Sequence, residues 1–277
     1  LIFKAILFLK KKKIEKVISI GGYMTIPVII AAKILGLTIV LFEPNLVLGR
    51  ANKFFLNFSN KIFCNSKNLS NFPKNKHHKI ELIKPLVLKA FYELEKTRDV
   101  NNKFCFLIFG GSQGAIIFDE LIKEVMTDVS KTFSIKVIQQ TNEQNISSLS
   151  HYYSSNNIEN KVFSFEKNLS DLIKQSDICI TRAGASTLAE LSVLNLPFIA
   201  IPLPSSKDNH QFENACFYKN KGCCWLIEQK YFDEKIEDFL KNILTNKEEY
   251  LKKKENLKKL NYQNNWINVN QKILREI

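Results

Sequence analysis

Glycine is scarce in this chain, with nine in 277 residues. Arginine is scarcer still: Arg50, Arg98, Arg182 and Arg275 stand against a Lys+Arg total of 40. Nucleic-acid readers rely on arginine at base edges, so the formal net charge of +13 points elsewhere than to nucleic acid. It suits an anionic membrane surface or an anionic substrate. None of the six cysteines forms a C-x-x-C pair, and the four histidines take no ligand spacing, so no metal site is expected. Cys105 and Cys179 lie inside apolar runs and read as buried, reduced thiols of a cytoplasmic protein. No apolar run approaches the roughly 18 residues of a membrane-spanning helix. The G-x-G-x-x-G fingerprint and the G-x-x-x-x-G-K-[ST] loop are both missing, which argues against dinucleotide and P-loop sites. The first residue is Leu, so the chain reads as a piece without its own beginning.

The few glycines are clustered. Six fall at Gly21-Gly22, at Gly110-Gly111-x-x-Gly114 and at Gly184. The middle cluster follows the apolar run Phe104–Phe109 and precedes a helical pattern. A glycine turn between a strand and a helix start presents free N–H groups to an anion, usually a phosphate. A tight turn without a ligand has the same appearance.

Short apolar runs alternate with helical patterns along most of the chain. Strands are expected over 16–20, 38–42 and 61–64, with helices over 27–35 and 49–58 between them. A polar stretch over 66–79 and a strandless stretch over 84–103 separate these from a more regular second part. There, strands are expected over 104–109, 134–139, 161–165, 178–181, 198–201 and 223–227, with helices between them and a Lys/Glu-rich helical tail from about 231. The alternation predicts an α/β protein with a doubly wound parallel sheet and ligands at the carboxyl ends of the strands. The expected division is a partial acceptor- or membrane-side domain over 1–88, a linker over 89–103, a second domain over 104–262 and a terminal helix over 263–277. The first thirteen residues carry Phe3, Ile6 and Leu7 before four lysines. They form either a helix in a membrane interface or an ordinary helix packed on the sheet.

Three more loops stand at strand ends. Arg182-Ala183-Gly184-Ala185-Ser186-Thr187 follows the strand over 178–181, and Glu190 falls one turn into the next helix. Small residues there allow close approach to the backbone, and a carboxylate at Glu190 can accept hydrogen bonds from sugar hydroxyls. The alternative is a capping box, for which Thr187-x-x-Glu190 has the spacing. Asp208-x-His210-Gln211-x-x-Asn214 follows the strand over 198–201; His210 alone reads as a helix-start residue and gains weight only in combination with the other loops. Gly21-Gly22-Tyr23 and Glu43-Pro44-Asn45 follow the first two strands.

Taken in order, Gly21-Gly22-Tyr23, Glu43-x-Asn45, Gly110-Gly111-Ser112-Gln113-Gly114, Arg182-x-Gly184-Ala185-x-Thr187-x-x-Glu190 and Asp208-x-x-Gln211-x-x-Asn214-Ala215 resemble the MurG family over nearly the whole chain. The resemblance implies a GT-B fold, two Rossmann-like domains with parallel sheets facing across a cleft. The activity it implies is that of an inverting, metal-independent transferase, moving N-acetylglucosamine from UDP-GlcNAc to a lipid-linked muramyl-pentapeptide in peptidoglycan synthesis. It implies a peripheral place on the cytoplasmic face of the inner membrane and no cofactor beyond the sugar nucleotide. The lack of Asp-x-Asp agrees with leaving-group stabilisation by main-chain dipoles.

By the same resemblance, Gly111, Ser112 and Gln113 lie near the diphosphate, Glu190 holds the ribose, and Ala185, Ser186 and Thr187 line the nucleotide-sugar. Arg182 belongs to the substrate-binding set, and Phe165-Glu166 meets the uracil. Asn45, His210 and Gln211 contact the GlcNAc hydroxyls. Gly21, Gly22, Tyr23 and Glu43 lie on the acceptor side. The chain also departs from the family. The Gly-Gly-Thr-Gly-Gly-His loop, which carries the suspected base, is missing, so no catalytic residue is named. His-Glu-Gln-Asn is Phe42-Glu43-Pro44-Asn45, Asn-Pro-x-Arg is Lys84-Pro85-Leu86-Val87, and the first glutamine of the donor pair is His210. A UDP-sugar epimerase of similar shape and an inactive remnant or nucleotide-sugar-binding fragment are the alternatives.

Overall fold

The structure is a computed structural model that describes residues 1–94, 103–110 and 115–277, the side chains of 115–117 and 232–235 aside. In chain order the elements are α1 (Ile2–Lys11), β1 (Lys16–Ser19), α2 (Ile26–Ile34), β2 (Thr38–Glu43), α3 (Arg50–Phe55), β3 (Lys61–Cys64) and β4 (Ile80–Leu82). Next come α4 (Lys89–Glu93), β5 (Phe104–Phe109), α5 (Ala115–Ser130), β6 (Ile135–Gln140), α6 (Ile146–Ser155), β7 (Glu159–Phe163), α7 (Leu169–Gln175) and β8 (Ile178–Thr181). The chain continues through α8 (Ala185–Val193), β9 (Phe198–Ala200), α9 (His210–Asn220), β10 (Cys224–Leu226), α10 (Phe232–Thr245), α11 (Lys247–Leu260) and α12 (Trp266–Glu276). The chain divides into two compact units, Leu1–Leu86 with Gln263–Ile277, and Val87–Tyr262.

In the first unit the described strands form one parallel sheet in the order β1-β2-β3-β4. The expected strands are present, and β4 is an addition. Three residues with one acidic side chain gave no strand signal by themselves. Pairing Ile62 with Ile80 and Cys64 with Leu82 makes them a strand. Pro27 sits in the first turn of α2, where its missing N–H costs nothing. One face of the sheet is covered by α1, α2 and α3, whose Leu9, Ile29 and Phe55 pack with Ile39, Leu41 and Ile62. On the other face Val40, Phe63 and Ile83 meet Ile273 and Ile277 at the end of α12. Lys61 and Glu276, 2.6 Å apart, tie that helix down.

The second unit holds six described parallel strands in the order β10-β9-β8-β5-β6-β7. Its central strands, Cys105–Ile108 and Ile178–Thr181, are buried on both faces, which explains their unbroken apolar runs. From β5 the chain winds outward to β6 and β7, then crosses back to β8 beside β5 and winds the other way. Strand order therefore reverses between β5 and β8, where Phe109 pairs with Thr181. At such a switch point the two following loops diverge and leave a crevice at the carboxyl ends of the strands. Gly110 directly follows one of these strands and Arg182 the other. The described thiols carry no disulfide. Cys64, Cys105, Cys179, Cys223 and Cys224 are buried, and burial pushes the Cys64 thiol up to about 12.

Candidate functional site

Beside the switch point of the second unit, Gly184 caps α8 with an extended backbone, φ −66 and ψ 135, that any residue adopts. Among the described residues a Cβ there would meet only the Thr187 hydroxyl, at 3.9 Å. Glycine is therefore not demanded by the backbone at this position. Its effect is to keep open the space before the first turn of α8. The capping box does not form: α8 has no side-chain cap, and among the described residues Ser186, Thr187 and Glu190 donate and accept no side-chain hydrogen bond. Glu190 sits half-buried in the second turn, and burial pushes its carboxyl up to about 7.

The neighbouring loops are stapled to this one. Gln211, in the first turn of α9, accepts at Oε1 from the backbone N–H groups of Ala183 (3.2 Å) and Leu203 (3.0 Å). That fixes its amide with Nε2 left as a donor. Asn214, one turn on, donates to the carbonyl of Ala183 at 3.1 Å. His210 donates from Nδ1 to the carbonyl of Lys207 at 2.7 Å, so in the neutral ring Nε2 is the acceptor. The turn that sets His210 is strained: Asp208 and Asn209 both take left-handed backbone, at φ 53 and φ 56.

Arg182 faces inward. Its guanidinium donates to the carbonyls of Ile201 (3.2 Å) and Pro202 (3.5 Å) and to Oε1 of Gln229 (2.9 Å), and it lies 5.2 Å from the centre of the Phe118 ring. Sequence reasoning missed Gln229, whose signal is only that it follows the last strand of the sheet. At the end of β7, Phe165 is 82% exposed, while Glu166 accepts from Lys161 (3.2 Å) and from the N–H of Asn168 (3.1 Å). Those contacts, the Asn168 N–H first, hold its carboxyl below the usual range. Gly111, Ser112 and Gln113 lie outside the described residues.

In the first unit, Glu43 ends β2 with its side chain turned inward, 3% exposed. Oε1 accepts from the N–H and the side-chain amide of Asn45, at 3.2 and 3.1 Å. Oε2 accepts from the N–H of Gly49 at the start of α3 (2.8 Å) and from Asn52 (3.0 Å). The carboxylate is thus the N-terminal anchor of α3 and the clamp of the Asn45 loop. Asn52 also lies under Gly21: a Cβ on Gly21, where φ is +83, would stand 3.2 Å from its amide. Here the backbone calls for glycine, and Asn52 leaves little room for a side chain. Gly22 follows at φ 86, and Tyr23 beyond it is exposed. Among the described residues no group of three or more His, Cys, Asp or Glu side chains could hold a metal ion, and no helix is long and apolar enough to cross a membrane.

Residues 105–265 match the glycosyltransferase family 28 C-terminal domain, and residues 1–64 match its N-terminal domain. A relative from Pelagibacter ubique is 49% identical over all of this chain and 78% of its own length, and one from Rickettsia bellii is 34% identical over 88% and 71%. Both bear the name UDP-N-acetylglucosamine--N-acetylmuramyl-(pentapeptide) pyrophosphoryl-undecaprenol N-acetylglucosamine transferase. Among solved structures, Acinetobacter baumannii MurG superposes with a TM-score of 0.81 at 22% identity, over 100% of this chain and 78% of that one. A UDP-N-acetylglucosamine 2-epimerase superposes at 0.67 with 13% identity, over 92% and 70%. The fold is therefore GT-B, with two Rossmann-like domains. From the whole-chain relatives and the matched domains, the chain belongs to the MurG family within glycosyltransferase family 28.

Proposed function

We propose that this chain moves N-acetylglucosamine from UDP-N-acetylglucosamine to a lipid-linked muramyl-pentapeptide, with inversion at the sugar carbon. The observation that carries the donor side is Glu190. A half-buried carboxylate with no partner among the described residues is costly, and its cost is offset when a ligand brings hydroxyl donors. A ribose brings two, side by side. Ala185, Ser186 and Thr187 line the nucleotide-sugar, and the two hydroxyls hold no partners among the described residues. The exposed Phe165 ring and Glu166 meet the uracil. The Nε2 donor of Gln211 and the Nε2 acceptor of His210 read GlcNAc hydroxyls. Gly111, Ser112 and Gln113 serve the diphosphate. The N-terminus of α8 favours negative charge as the diphosphate leaves. A general base takes the proton of the acceptor hydroxyl. Glu43 is not that base, because four hydrogen bonds already occupy its carboxylate. It instead orients Asn45, while Gly21, Gly22 and Tyr23 stand on the acceptor side. The sequence relatives at 34–49% identity favour this transfer over epimerisation, for which only the fold speaks.

UDP-GlcNAc is expected to raise the thermal midpoint of the second unit, and Glu190→Ala to abolish the rise without lowering the midpoint of the free protein. Equal protection of wild type and variant would remove the donor-site assignment.

The membrane-side reading rests on α1. Its Leu9 is buried in the core of the first unit with Ala5 and Ile6 against it, so this helix packs as an ordinary element. Its outer face nevertheless exposes Phe3, Leu7 and Phe8 beside Lys4, Lys10 and Lys11. That combination suits the anionic surface of the inner membrane, approached peripherally from the cytoplasm. Pelleting with anionic liposomes should weaken when Lys10–Lys13 are replaced by Gln, and pelleting insensitive to that change would take those lysines out of the membrane reading.

A further inference from the structure

Among the described residues the buried guanidinium of Arg182 has no counter-charge. It is 6% exposed, its donors go to two main-chain carbonyls and one side-chain amide, and among the described residues no carboxylate pairs with it. Its Nε has no hydrogen-bond partner among them either. Burial works against the charged form and lowers its pKa from the ordinary arginine value, yet a guanidinium stays charged in a protein. An isolated buried cation is expensive, and folds normally avoid it or pair it. This chain supplies basic residues almost wholly as lysine, and Arg182 is the one arginine among the described residues of its unit.

Part of the explanation is architectural. The planar fork reaches Ile201, Pro202 and Gln229 together and stacks on Phe118, which a lysine ammonium cannot do. That staples the ends of β8 and β9 and the segment after β10, and it does not explain why the charge is left unneutralised. The position offers a reason. Arg182 directly precedes the Ala183-Gly184 turn into α8, at the switch point where the strand order reverses. Its charge and the partial positive charge of the N-terminus of α8 have the same sign, in surroundings that screen them weakly.

We infer that Arg182 is an electrostatic positioning residue, a fixed buried cation whose uncompensated charge favours the diphosphate of the bound nucleotide without touching it. This rests on the donor-site reading above and deepens it. The guanidinium is spent on carbonyls, so its part is played through the field, and it adds to whatever contacts the loop main chain makes.

The test compares UDP with uridine, which share base and ribose but differ in the charged diphosphate, by calorimetric titration of the whole chain. Gln229→Glu is the decisive variant. It keeps the arginine and the shape of the site but sets a carboxylate against the guanidinium, cancelling its charge. The expected result is a loss of about tenfold in affinity for UDP with little change for uridine. Arg182→Met should lower the UDP-to-uridine ratio similarly, and Arg182→Lys should recover much of it. If Gln229→Glu leaves the wild-type ratio intact, or if every variant weakens UDP and uridine equally, Arg182 is only a staple and the inference fails. If wild-type protein binds neither compound, the donor-site reading itself fails and takes this one with it. Gln229→Glu keeps the question open to measurement even if Arg182→Met does not fold.

Discussion

Two glutamates divide the work of this molecule. Glu43, at the end of β2, is buried and accepts four hydrogen bonds from its own chain. Glu190, in the second turn of α8, is half-buried and accepts none among the described residues. Both look alike in the sequence, since each stands in a strand-end motif that resembles the same family. Their surroundings set their roles. A carboxylate closed by internal donors holds a loop and a helix start in place. A carboxylate left open while being desolvated stores an unfavourable term that only a ligand relieves. The same distinction separates the glycines: Gly21 is fixed by its positive φ and by Asn52 beneath it, whereas Gly184 keeps a space empty.

Glu43→Ala should leave the N–H of Gly49 and the amides of Asn45 and Asn52 without their acceptor, destabilising the first unit by about 3 kcal/mol. Denaturant unfolding followed by circular dichroism would measure it. A variant as stable as wild type but impaired in transfer would return Glu43 to the reacting groups.

Glu190 is pushed up to about 7 in the free protein by burial, and hydroxyl donors favour its charged form, so binding pulls the group back toward an ordinary carboxylate. UDP-GlcNAc affinity should therefore be level above about 7 and fall by up to about tenfold per pH unit below it. The sign for stability is opposite. The folded pKa lies above the ordinary 4.5, so this group's contribution is fully present below 4.5 and is lost as pH rises through about 7. Glu190→Gln should flatten both trends. Calorimetric titrations on either side of neutrality would show it, and a profile already flat in the wild type would mean that Glu190 does not meet the donor.

Much of the fold was legible because parallel strands buried on both faces need continuous apolar runs. Phe104–Phe109 and Ile178–Thr181 are such runs, and their boundaries agree with expectation to the residue. Ile80–Leu82 was not legible, because a three-residue edge strand owes its existence to its neighbour. At the site, the positions of Glu190, Gln211 and His210 at strand ends could be read from motif and spacing. Their hydrogen-bonding state could not, since the donors that fix Gln211 come from Ala183 and Leu203, far from it or irregular in sequence.

The sequence by itself determined the alternation of strands and helices, the clustering of scarce glycine at strand ends and the membership of a glycosyltransferase family. These follow from local pattern, which a one-dimensional string carries. Only the tertiary structure decided that Glu43 is closed and Glu190 open, that Arg182 turns inward onto carbonyls, and that α12 returns to pack on the first unit through Ile273 and Ile277. Each depends on which distant groups fold against a side chain. Whether a charge is satisfied is a property of that assembled neighbourhood and not of the residue that bears it.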